Sequence, residues 1–127
     1  MKYLDTLGTL KDYLHKRFSM NTDIEPLSQA TIDEITRRFV KIYNPREIYM
    51  LEPIREENID TNFLIIVDGE DIEHYELMTK GYKALIGVKV AKNIMVYTPA
   101  EFAEYSQDSS SLSFLIKKYG KRIYENS

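Results

Sequence analysis

Residues 48–69 read IYMLEPIREENIDTNFLIIVDG. The stretch is a short strand, a polar turn and an apolar strand carrying Phe63, Leu64, Ile65, Ile66 and Val67. Such a run fits a central strand buried on both faces. Asp60 and Asn62 stand two apart at its entry, so an extended backbone points them to the same side. Asp68 and Gly69 supply a turn after it.

Upstream, Leu4, Leu7, Leu10, Leu14 and Phe18 recur at helical spacing. They make an amphipathic helix over residues 3–18, with Lys11, Asp12, Lys16 and Arg17 on the wetter side. Asn21, Thr22, Asp23 and Pro26 break the pattern as a loop. A second helix is expected with Thr31 and Glu34 as its capping box and Ile32, Ile35, Phe39 and Ile42 along one face. Asn44 followed by Pro45 ends it. Arg37, Arg38 and Lys41 read as a solvated helix face rather than a phosphate patch. Glu47–Leu51 is the first strand.

Downstream, a third helix is expected from about residue 71 to residue 86, with Ile72, Tyr75, Met78, Tyr82, Leu85 and Ile86 as its apolar set and Gly87 as its stop. Asp68, Glu70 and Asp71 suit its positive N-terminus better than a metal cluster. Lys92–Tyr97 is the third strand. Thr98, Pro99 and Glu101 then start a short helix as cap, first helical residue and capping-box acid. Residues 107–111 read as a loop or a second cap, and Leu112, Leu115, Ile116 and Tyr119 form a last helix stopped by Gly120. Arg122, Ile123 and Tyr124 add a short final strand. The tight connection between the first two strands makes them antiparallel, and the helix before the third favours a parallel return. A small mixed sheet packed by helices, an α/β two-layer domain, is the expected fold. One domain spans residues 1–127, with residues 1–27 a helical extension and residues 28–127 the core.

Composition narrows the function. The 127 residues suit one domain, and a net charge of -3 gives no reason to expect binding to nucleic acid. The absence of cysteine excludes disulfides, a thiol nucleophile and a thiolate zinc site. His15 and His74 lack ligand spacing and read as surface residues. No apolar run approaches the about 20 residues of a membrane helix. Asp5 and the lack of a small-residue cleavage pattern argue against a signal peptide, so a soluble, cytoplasmic protein is expected. Most of the ten tyrosines fall at core spacings and read as packing rather than base stacking. Ser109, Ser110 and Ser111 read as loop or cap.

From about Ile35 to Tyr124 the pattern resembles the minimal nucleotidyltransferase family, related to DNA polymerase beta and kanamycin nucleotidyltransferase. In that family a strand ends in Phe-Gly-Ser, a turn carries Ala-x-Gly, and Ser-Asp-x-Asp leads into a hydrophobic strand. A third Asp opens a later strand, followed by a Thr-Pro-x-Glu helix start. Here residues 48–51 resemble the first strand, residues 59–68 the second, residues 82–87 the end of the third helix and residues 93–102 the third-carboxylate strand. The C-terminal residues 111–125 are also similar, whereas residues 1–27 lie outside the likeness. Carried over residue by residue, Glu52 and Pro53 stand for Gly-Ser, and Arg55, Glu56 and Glu57 for Ala-x-Gly. Ile59 replaces the Ser, Asp60 matches the first carboxylate, and Asn62 and Asn93 replace the second and third.

The physics of nucleotidyl transfer makes these replacements matter. Magnesium bridges the triphosphate during in-line displacement and wants charged oxygen ligands in near-octahedral geometry. Pro53 offers no N–H to a phosphate, and Glu52 adds a negative charge beside it. One like-charge pair at about 4 Å is unfavourable by about 1 kcal/mol in water and about 4 kcal/mol at an effective dielectric of about 20. Glu52, Glu56, Glu57 and Asp60 could hold calcium or manganese, but a solvated acidic loop is the favoured reading.

The expectation is a pseudoenzyme with vestigial positions Glu52, Pro53, Asp60, Asn62 and Asn93, no bound cofactor, and Asp60 as its one retained ligand candidate. The resemblance implies an antitoxin-like half of a two-gene toxin–antitoxin module, paired with a small helical protein. The alternatives are an active enzyme using magnesium and a nucleoside triphosphate at an altered metal site, or a structural homodimer built on the N-terminal helix.

Overall fold

The computed structural model describes residues 26–53 and 59–126. Its elements run α1 (Gln29–Tyr43), β1 (Glu47–Leu51), β2 (Thr61–Ile66), α2 (His74–Ala84), β3 (Lys92–Tyr97), α3 (Pro99–Tyr105), α4 (Leu112–Tyr119) and β4 (Lys121–Glu125). The helix expected over residues 3–18 and the turn residues Arg55, Glu56 and Glu57 lie outside the described residues.

The strands form one open sheet in the order β3-β2-β1-β4. β1 is antiparallel to β2 and to β4, and β2 is parallel to β3. The direct connection between β1 and β2 permits antiparallel pairing, whereas the passage through α2 returns the chain for a parallel strand. The described residues make a small α/β domain with a mixed sheet and four helices, consistent with a two-layer α/β class.

Every residue of β2 is buried, because both of its faces are covered. On one face Ile48, Phe63, Ile65, Ile94 and Val96 pack with Ile32, Ile35 and Phe39 of α1 and with Leu85 after α2. On the other, Leu51, Leu64 and Ile66 meet Phe102 of α3 and Ile116 of α4. Each such side chain, fully buried, contributes roughly 1.5–3 kcal/mol.

Several boundaries differ from expectation. The cap of α1 is Ser28, whose hydroxyl accepts the Thr31 N–H at 3.1 Å. Serine has the same capping chemistry as threonine and stands three residues earlier, so the helix extends to it. Glu34, expected in the capping box, instead lies 2.6 Å from Arg37 and 2.7 Å from Arg38. Helix α2 is shorter than expected and leaves Tyr75 82 % and Ile86 74 % exposed, so neither belongs to the core. Its end is held by Arg38, which donates to the carbonyls of Ala84 at 2.9 Å and Ile86 at 3.1 Å. Gly87 follows at φ 94°, where a side chain would be strained. By contrast, α3 begins with the expected capping box of Thr98 and Glu101. Among the described residues no helix is long and apolar enough to cross a membrane.

Candidate functional site

Two ladders converge at one corner of the sheet. Leu51, the last residue of β1, stands opposite Asn62 in the antiparallel pair. Asn62 in turn stands opposite Asn93 in the parallel pair. Glu52 and Pro53 leave β1 at this corner, and Asp60 enters β2 there. The main chain holds the entry in place, since Thr61 N–H donates to the Ala91 carbonyl at 2.8 Å. All five positions singled out in the sequence therefore lie at the same end of the sheet.

Alternation along the strands assigns the corner to a face. Asn62 shares a side of β2 with Leu64 and Ile66, and Asn93 shares a side of β3 with Met95 and Tyr97. Those apolar residues belong to the cluster beneath α3 and α4. The corner is thus the polar end of an otherwise apolar face. Asn62 is only 5 % exposed, whereas Asn93 is open to solvent.

The Asn62 amide has no hydrogen-bond partner among the described residues, yet none of their fully buried side-chain polar atoms lacks one. Its amide therefore keeps a narrow contact with solvent. Asp60 is half-buried and engaged in an interaction of its own. A carboxamide offers one acceptor oxygen and an NH₂ donor, without charge. At the three positions Asp60, Asn62 and Asn93, one carboxylate and two amides suit hydrogen bonding to neutral or mixed polar groups. These three do not fit magnesium, which would find a single charged ligand among them. Among the described residues no three His, Asp or Glu side chains assemble as an ion-binding group. Asp68, one of the acids before α2, faces Arg46 at 3.1 Å.

A second polar constellation lies at the far end of β3. His74 Nε2 lies 2.8 Å and 3.0 Å from the two carboxylate oxygens of Glu101, which also accepts the Thr98 N–H at 2.9 Å. A carboxylate only accepts, so Nε2 carries the proton. The pair joins the start of α2 to the start of α3. Burial pushes the Glu101 carboxyl up, but the hydrogen bonds from Thr98 and His74 outweigh it and hold the group below its ordinary value. The sequence alone reads His74 as a plain surface residue. The Glu101 capping box was the available signal for one partner, and nothing local pointed to the other.

Compared with protein-family models, curated proteins and solved structures, the chain matches none of the three.

Proposed function

We propose that this chain is a nucleotidyltransferase-like domain that has lost its metal chemistry and acts by binding a protein partner. The observation that carries the reading is the double register that sets Asn62 beside both Leu51 and Asn93. In the family the chain resembles, carboxylates at the Asn62 and Asn93 positions would face one another across adjacent strands, with the phosphate turn following the first strand. Here amides fill both positions, and Glu52 and Pro53 occupy the turn. This is a polar corner suited to hydrogen bonding, next to buried, well-packed strands. A small helical protein is the partner class the resemblance implies.

The test is to restore the charges. The double variant Asn62→Asp, Asn93→Asp should bind manganese measurably by electron paramagnetic resonance, whereas the unaltered chain should not. A folded double variant that binds no manganese would show that this corner lacks the family's metal geometry.

A further inference from the structure

At the other end of the sheet a recess of about 320 Å³ opens between the start of β1, the carboxyl end of β2 and helices α3 and α4. Ligands of open α/β sheets sit outside the carboxyl ends of strands. The volume lies near the bottom of the about 300–1,000 Å³ range of small-molecule sites. The floor is apolar, with Ile66 1 % and Phe102 9 % exposed. The rim is charged, with Arg46 and Lys117 on one count and Glu47 and Glu125 on the other.

The charges are unequally matched. Arg46 faces Asp68 at 3.1 Å with both side chains largely exposed. Such a pair is worth about 0–1 kcal/mol, so the guanidinium can be re-partnered at little cost. Lys117 has no carboxylate partner among the described residues. Glu47 and Glu125 share one cation, Arg122, at 3.0 Å and 3.1 Å. Two carboxylates on one guanidinium leave a negative charge at the β1–β4 side of the recess. Lys117 leaves a positive charge on α4. A simple anion would satisfy only the second, and a simple amine only the first.

We propose that this recess binds a free α-amino acid with an apolar side chain. The carboxylate goes to Lys117 with Arg46, the ammonium to the Glu47 and Glu125 side, and the side chain over Ile66 and Phe102. The inference is independent of the Asn62–Asn93 corner.

Calorimetric titration of the full chain with L-leucine, N-acetyl-L-leucine and isoamylamine tests it. Leucine is expected to bind saturably below roughly 10 mM, and each blocked analogue at least about tenfold more weakly, a difference of about 1.4 kcal/mol. Lys117→Met keeps the aliphatic stem of an exposed residue, so its thermal midpoint should stay unchanged while leucine binding weakens by about tenfold. Three results would each overturn the proposal: no saturable leucine binding, equal binding of either blocked analogue, or unaltered binding by folded Lys117→Met.

Discussion

Asn62 and Asn93 stand opposite each other on adjacent parallel strands, one buried and one open to solvent. Two carboxylates so placed would repel each other unless a cation lay between them. Two amides carry no charge and need no cation between them. The amide pair is therefore stable as a plain polar surface.

Asn62 interrupts a strand whose other residues are built for burial. It is 5 % exposed and its amide has no hydrogen-bond partner among the described residues. Burying a polar group without a partner is unfavourable by about 1–3 kcal/mol, and residual solvent contact puts this site at the low end. Asn62→Val should therefore raise stability by about 1 kcal/mol, read as a higher urea midpoint at unchanged slope. A lower midpoint would show that the amide has a stabilising partner.

Gly81 lies in α2 where the helix meets α1 and β3. A Cβ there would press on the Tyr43 hydroxyl and come within 3.0 Å of Ile94 Cγ2. That hydroxyl is held in place by its hydrogen bond to the Leu77 carbonyl. Gly81→Ala gains up to about 1 kcal/mol of helix propensity but forces overpacking that costs typically about 1–3 kcal/mol. Overpacking should win, and the thermal midpoint should fall.

The Glu101 carboxyl is held below its ordinary value of 4.5, because Thr98 and His74 together outweigh the effect of burial. A depressed pKa in the folded state means a stabilising contribution that is complete above the ordinary carboxylate range. It is lost as pH falls through the lower folded-state value. Glu101→Gln should thus destabilise the protein by roughly 0.5–2 kcal/mol at neutral pH, the size of a helix cap. The gap from the unaltered protein should narrow as the pH is lowered through and below 4.5. Urea titrations along a pH series measure it, and a constant gap would contradict the assignment.

Local patterns made some of this structure legible and left the rest hidden. The apolar run before Val67 announced a doubly covered strand, and the connections on either side of it announced the antiparallel and parallel neighbours. The Thr98–Glu101 cap was readable because all its partners lie within one turn. Ser28 and Thr31 share capping chemistry, and only packing of the whole helix chooses between them. Helical spacing alone puts Tyr75 and Ile86 in a core, whereas Tyr75 in the first turn of α2 faces solvent and Ile86 lies beyond the helix's end. Arg38 reaches carbonyls 46 and 48 residues away, and His74 meets Glu101 across 27 residues, so no local signal could pair them. Family likeness singles out the corner residues, and only the strand register brings them to one end of the sheet.

The most direct measurement is calorimetric titration of the full chain with each of the four nucleoside triphosphates in the presence of magnesium. A corner in which amides stand at Asn62 and Asn93, and in which Glu52 and Pro53 follow β1, should give no saturable heat in the micromolar range. A clear saturable signal that disappears in Asp60→Ala would contradict the proposed function.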